Sequence, residues 1–414
     1  MLAAEDSPVV ERTGTDEGVH VYDVIVVGAR VAGAATALQF AEAGHRVLMV
    51  DRARFPSDKL STLYIHQPGV DRLARWGVLD AVVATGCPAL DRAVYQVADV
   101  RLTGCSLPAG DQRAAYAPRR HLLDKILIDA AVAAGVEFRE GTSVAGAVFD
   151  GDRAVGVEFR AERAGRTGER AHLVVGADGM RSTMAKKLGA DFVVQDPLRT
   201  CAYYSYWAGL PADFELYERP GNWIGVVPTN DATLIASYSP QAEFDVVRAD
   251  PRAHYLESIR TTAPALYDRA MAAEQVDRMH GSGDQQNFFR QASGPGWALV
   301  GDAAHHKDSI TARGINDAFW QAELLTTAVA DVLHDPVALD KRLAAYADDL
   351  VDGLFECYRN TMAVGQLEVT GHKLAMLRAV AGSPRLTDRY FATASGVLTV
   401  EEFDDDELDA ALSG

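Results

Sequence analysis

The sequence predicts an α/β chain, α+β overall, in which a parallel-sheet nucleotide-binding domain is interrupted by an antiparallel-sheet domain and followed by helices. Three observations carry this prediction. A strand–turn–helix–strand unit opens the patterned part of the chain at residues 21–51. Two further strand–glycine–helix units stand at residues 172–189 and 297–325. Between those two lie short aromatic-rich runs broken by turn residues.

The first unit begins with "VYDVIVV", a β-branched apolar run of the kind a buried parallel strand needs. From Val31 small and apolar residues recur at helical spacing to about Ala43, where Gly44 ends the helix, and "HRVLMVD" is a second buried strand ending at Asp51. Gly28 permits the tight turn, Gly33 lets helix and strand approach, and the helix N-terminus offers free N–H groups to a pyrophosphate. Asp51 follows Gly28 by 23 residues, where a carboxylate can accept bonds from ribose hydroxyls. Arg30 stands where G-x-G-x-x-G has its second glycine; its guanidinium can face phosphate instead. An ordinary glycine-containing turn is the other reading, and this motif alone does not name the nucleotide.

"HLVVGADGMRSTMAKKLG" is again a strand, a turn holding Asp178 and Gly179, and a helix. "WALVGDAAHHKDSITARGINDAFWQAELL" repeats the design, with Gly301 and Asp302 after the strand and a long helix from about Gly314. A carboxylate placed directly after a strand-ending glycine can bind a chain of sugar-like hydroxyls. Before the second unit, Arg120 precedes an amphipathic helix with Leu123, Leu127 and Ala130 on one face. In the inserted segment, alternation along "RTCAYYSYWAGL" sends Tyr204 and Tyr206 to one face and Tyr203, Ser205 and Trp207 to the other.

The expected organisation is a disordered leader at 1–20, a nucleotide-binding domain from 21–195 and 285–335, and a substrate domain at 196–284 to which 90–115 contributes. A C-terminal helical region at 336–414 ends in the acidic "EEFDDDELDA", a solvated tail or helix end, and leaves room for a homodimer interface or a lid.

A formal charge of −18 argues against nucleic acid and anionic membrane surfaces as partners. No run of about 18 apolar residues appears and the start has no apolar signal core, so the expected location is the cytoplasm. The four cysteines have no C-x-x-C spacing. Without H-E-x-x-H or a comparable pattern, no metal site is expected.

In the order first motif, Arg120 helix, "GADG" and "GD", the chain resembles the FAD-dependent aromatic-hydroxylase type of flavoprotein monooxygenase, the superfamily of para-hydroxybenzoate hydroxylase and geranylgeranyl reductases. The resemblance implies a Rossmann-like FAD-binding domain. Its cofactor contacts would be Gly28, Arg30, Gly33, Asp51, Arg52, Arg120, Asp178, Gly179, Gly301 and Asp302, with Gly314, Ile315 and Asn316 facing the flavin pyrimidine oxygen. It also implies NAD(P)H as a transient reductant, O2 as co-substrate, and hydroxylation of a small, aromatic, specialised metabolite through a flavin C4a-hydroperoxide. Ser309 and Ala312 depart from the family's usual proline and glycine.

Family position brings the loop "HHKDS" to the flavin edge, making His305, His306, Lys307 and Asp308 candidates for acid, base or peroxide partner; the alternative for each is bracing the loop. Thr62, with Ser61, occupies the segment that approaches the flavin in the reductase-like relatives, whereas Asp58 and Lys59 also fit an exposed turn. Tyr204, Tyr206 and Trp223 are the expected aromatic walls of the substrate pocket, or else sheet core. Among rival functions, a C=C reductase of the geranylgeranyl type would want its Cys-Gly loop, and neither residue stands at 60–62. A halogenase would want W-x-W-x-I-P, of which "NWIGVVP" keeps one tryptophan and the proline. A flavin-binding protein without turnover is the third.

Overall fold

A computed structural model describes residues 21–59, 61–160 and 167–413, so the expected leader at 1–20 lies outside the described residues. In the first sheet, Val21–Val27 is central, with Val47–Val50 and Thr167–Gly176 parallel to it on either side. Glu137–Arg139 extends the sheet beyond Val47–Val50, and Trp297–Leu299 extends it beyond Thr167–Gly176, both again parallel. Val24, Ile25, Val26 and the run Leu48–Val50 have no solvent exposure. Burial on both faces is why these strands read as continuous apolar runs without alternation. Each such side chain contributes about 1.5–3 kcal/mol by leaving water. Helix Val31–Glu42 packs on both Arg120–Ala133 and Gly314–Val329, which brings three segments distant in sequence to one sheet.

The second sheet runs in the order Glu274–Gln275, Thr200–Ala208, Thr233–Pro240, Asn222–Pro228, Phe214–Arg219, Ala93–Val97, Val100–Gly104. It is antiparallel except where Phe214–Arg219 lies parallel to Ala93–Val97, so residues 93–104 are built into the insertion's sheet. The two faces separate as period-two alternation requires. Ala202 and Tyr206 join one core with Leu234, Ala236 and Tyr238, while Trp207 joins another with Ile235 and helix residues Tyr255, Ile259 and Leu266. A small third sheet pairs Asn287–Arg290 with Phe192–Asp196 and with His305–His306.

Helix Pro336–Val364 packs along Gly314–Val329, tied to the first sheet by the Tyr346 hydroxyl donating to the Leu299 carbonyl at 2.7 Å. The chain then crosses to the second sheet, where Gly371–Ala381 and Pro384–Ser395 cover its Tyr206 face. The acidic end is folded: Val400–Phe403 and Asp406–Ser413 are helices, a reciprocal Thr399–Glu402 capping box starts the first, and Phe403 and Leu408 are buried in that same core. Beneath these helices the buried Glu218 accepts from Lys373 Nζ at 2.7 Å on both oxygens and from the Tyr95 hydroxyl. No helix among the described residues is long and apolar enough to cross a membrane.

Candidate functional site

Three turns leave the first sheet side by side at the carboxyl ends of adjacent parallel strands, the place where open α/β sheets bind ligands. Val27 is level with Gly176, and Gly176 with Leu299, so Gly28, Asp178 and Asp302 follow at one height. Gly28 has φ +108°, and a Cβ there would lie 2.3 Å from the Ala177 carbonyl oxygen. Only glycine fits. A Cβ on Gly33 would lie 1.7 Å from the Gly28 carbonyl oxygen, so helix Val31–Glu42 can start this close to its strand only with glycine there. Gly301 abuts Ala32 of that helix and donates its N–H to Gln321 Oε1 at 2.8 Å, joining the third turn to the first.

Three aspartates follow these strands, and their surroundings differ. Asp51 is spent partly on the turn, accepting the Ala29 N–H at 2.8 Å and the Ala53 N–H at 2.7 Å, one per oxygen. Asp178 caps the helix Thr183–Leu188, accepting from the Ser182 hydroxyl at 2.5 Å and the Thr183 and Met184 N–H groups at 2.7 and 3.1 Å. Asp302 is exposed and has no hydrogen bond or ion pair among the described residues. It is the carboxylate with its valence open.

Arg30 does not stand alone against solvent. Its Nη1 donates to Asp124 at 2.6 Å and its Nη2 to Ser57 Oγ at 3.0 Å. Arg120 grips the other oxygen of Asp124 through Nε and Nη2 at 3.1 and 3.0 Å. Two guanidiniums share one fully buried carboxylate and leave a net positive charge beside the N-terminus of helix Val31–Glu42. Lys59 completes the cluster: burial and the neighbouring Arg30 and Arg120 charges lower its pKa, while Asp302 raises it. Arg52, by contrast, is exposed at the rim. The adjacent Arg119 turns away to the second sheet, its guanidinium 3.4 Å from the Tyr206 ring centroid and bonded to Asp231 at 2.8 Å.

Several residues of this site give no motif signal. Arg290 donates to the Ala303 carbonyl at 2.9 Å and the Met180 carbonyl at 3.1 Å, strapping the second and third turns together. At the start of Gly314–Val329, Ala312 adopts a left-handed φ of +52°, and Asn316 Oδ1 accepts the His66 N–H at 3.0 Å. The Asn316 Nδ2, His66 Nε2, Gln67 Oε1 and Arg313 Nε atoms are all buried without a partner. His66 and Asn316, joined by that bond, thus bring orphaned polar atoms to the junction of two helix starts, which suits a polar ligand. Burial, then the Arg313 charge, pushes His66 down to about 3, so its imidazole is neutral.

The loop 305–309 is turned inward. His305 is 3% exposed and stacks on Phe289 at 4.1 Å; its Nδ1 meets the Phe288 carbonyl at 3.2 Å and its Nε2 meets Lys307 Nζ at 3.4 Å. Burial holds it neutral. Lys307 pairs with Asp317, and His306 Nδ1 bonds the Gln286 carbonyl. Asp308 accepts the Thr200 N–H at 3.0 Å, its hydroxyl at 2.7 Å and the Ile310 N–H at 3.1 Å; burial raises its pKa to about 6. Both nitrogens of His305, the Nδ1 of His306 and both oxygens of Asp308 are thus bonded within the fold.

Tyr204 and Tyr206 lie edge to face at 5.8 Å on the second sheet, and the Tyr238 hydroxyl reaches Ser309 Oγ at 3.2 Å. Leu63, Tyr64 and Ile310 share their cluster. The aromatic face thus meets both the 61–66 segment and the 309–313 loop. Thr62 is half-buried next to Leu63, whose backbone is held left-handed at φ +65°, a conformation costing a branched residue about 1–2 kcal/mol. Trp223 shares the face but is covered by Tyr95, 5.6 Å away, and by the Lys373 ammonium at 5.9 Å. Like Tyr206 on the same face, it is buried in the core that the C-terminal helices complete.

The FAD binding domain family matches residues 21–350. A tryptophan 2-halogenase of Chondromyces crocatus is 25% identical over 76% of this chain, which spans 62% of that protein's length. A digeranylgeranylglycerophospholipid reductase of Methanosarcina acetivorans is 25% identical over 79% of each chain, and the 6-methylpretetramide 4-monooxygenase of Streptomyces rimosus 28% identical over 74% of each. In fold, the chain superposes on the myxobacterial chondrochloren halogenase with a TM-score of 0.74 at 21% identity, covering 95% of this chain and 97% of that one. These matches join the three turns and the open carboxylate beside them into one conclusion: the chain belongs to the FAD binding domain family and is a flavoprotein oxidoreductase with FAD as its cofactor.

Proposed function

We propose that the protein is a monooxygenase that uses NAD(P)H and O2 to hydroxylate a small aromatic metabolite in the cytoplasm. The observation that carries this reading is the tyrosine face of the second sheet, set against both the 61–66 segment and the 309–313 loop. Such walls suit a planar acceptor and exclude water from the reacting edge.

The residues fit FAD. Asp302, with no partner of its own among the described residues, would accept from ribityl hydroxyls, and Asp51 would use its remaining lone pairs for ribose. The N-terminus at Gly28–Gly33 and the Arg30–Asp124–Arg120 cluster would hold the pyrophosphate. The helix N-terminus at Gly314, Ile315 and Asn316 would favour negative charge on the reduced ring through its partial positive charge. Bound FAD supplies the two-electron passage from NAD(P)H to oxygen, one atom entering the substrate and the other leaving as water. The buried, neutral His66 keeps an Nε2 without a partner, whereas both nitrogens of His305 are bonded.

A reductase is the second reading, favoured by the reductase relative and opposed by Ser61 and Thr62 where that group has its Cys-Gly loop. The test follows NAD(P)H oxidation, oxygen uptake and free peroxide across aromatic and amine compounds. Substrate-stimulated oxidation with little peroxide supports hydroxylation. Product formed equally well without oxygen would move the assignment to a reductase, and product formed only with halide to a halogenase.

A further inference from the structure

Four residues with no part in the cofactor site meet at the other end of the parallel sheet. Asp23 is the third residue of Val21–Val27, and His172 is its neighbour on Thr167–Gly176, because Tyr22 pairs with Ala171 and Val24 with Leu173. His334 comes from the turn between helices Gly314–Val329 and Pro336–Val364. One donor atom from each of Asp23, His172 and His334 lies within 4.8 Å of the others. His334 Nε2 is 3.5 Å from Asp23 Oδ1, and the two imidazole rings stand at 85° with centroids 4.7 Å apart. His45 approaches the second oxygen, its Nδ1 3.8 Å from Asp23 Oδ2.

We propose that Asp23, His172 and His334 bind a divalent transition cation of the Zn²⁺ type, with water in the fourth position. Imidazole nitrogens with one carboxylate suit Zn²⁺ and its neighbours, whereas Mg²⁺ and Ca²⁺ take oxygen sets. Metal–ligand distances of about 2.0–2.2 Å in a tetrahedron give ligand–ligand edges of roughly 3.3–3.6 Å. The 3.5 Å between His334 Nε2 and Asp23 Oδ1 is already close to that. A plain ion pair needs one histidine for one carboxylate, and none of these three histidines has another carboxylate partner among the described residues. The side chain of His334 is 66% exposed and that of Asp23 20%, so the cation has an open approach from one side. Five residues of strand, roughly 16 Å, separate Asp23 from Gly28, so the ion would not touch the flavin. It would clamp the 330–335 turn onto two central strands. The donors sit at 23, 172 and 334, a spacing no linear motif displays.

The test uses the untagged, FAD-loaded full chain, stripped with chelator and titrated with Zn²⁺ against a chromophoric chelator. The expected result is one Zn²⁺ per chain, a raised thermal midpoint and an unchanged flavin spectrum. Binding should weaken at least tenfold in Asp23→Asn and in His334→Asn, whose side chain is mostly exposed, and stay unchanged in His372→Asn at an exposed position elsewhere. Less than one equivalent bound by the wild type would overturn the proposal. So would equal binding by His334→Asn, which would locate the metal elsewhere.

Discussion

Asp178 and Asp302 are the same side chain at the ends of neighbouring strands, yet the first is bonded through both oxygens by its own helix and the second is bare. An anionic acceptor of ligand hydroxyls gains about 1.5–3 kcal/mol for each charge-assisted bond. Asp302→Ala should therefore weaken FAD retention at least tenfold while leaving a folded chain, checked by the flavin-to-protein absorbance ratio after gel filtration and by circular dichroism. At Asp308 the effect is on stability. Its folded pKa of about 6 lies above the ordinary carboxylate value of 3.8, so below about pH 4 both folded and unfolded chains hold the proton. As pH rises through 6 the unfolded chain has already released it, and the folded state loses up to about 3 kcal/mol of relative stability. Against Asp308→Asn, the wild type should lose ground between pH 4 and 7; parallel unfolding curves across that range would refute the assignment of a buried, late-ionising carboxyl.

The elements of the cofactor site depend on one another more than any motif reveals. Gly28, Gly33, Gly301 and the helix from Gly314 could be read in the sequence because each is a local rule: a turn needing positive φ, a helix too near a strand for a Cβ, a helix start. Arg290 could not, since it lies on a strand of the small third sheet and acts through carbonyls at 180 and 303. Arg290→Met removes both straps and leaves those carbonyls unsatisfied. It should loosen FAD binding several-fold and lower the thermal midpoint together, whereas Asp302→Ala moves the first alone. The loop 305–309 is the converse case. Its histidines read as catalytic from residue type and family position, whereas the carbonyls they bond, Phe288 and Gln286, and the Thr200 that bonds Asp308 lie far off in the chain. His66 carries no such signal in the sequence, because its unpaired Nε2 is a property of the packed chain.

Across the whole molecule, the C-terminal helices close the second sheet, the acidic end is the helix end and not the solvated tail of the two expected forms, and its charge sits on the outer sides. Glu218, 3% exposed, is held by Lys373 across that junction. Lys373→Met leaves the carboxylate buried without its counter-charge, which costs about 3–5 kcal/mol. Its denaturant midpoint should fall sharply, and the double variant Glu218→Gln with Lys373→Met should regain most of the loss. The proposed activity rests on the place where the tyrosine face meets the 61–66 segment and the 309–313 loop. The most direct measurement is turnover under ¹⁸O2 with whichever aromatic compound stimulates NAD(P)H oxidation, reading the product by mass spectrometry. The account predicts a product heavier by one ¹⁸O atom and none formed without oxygen; an unlabelled product that forms equally well under anaerobic conditions would contradict it.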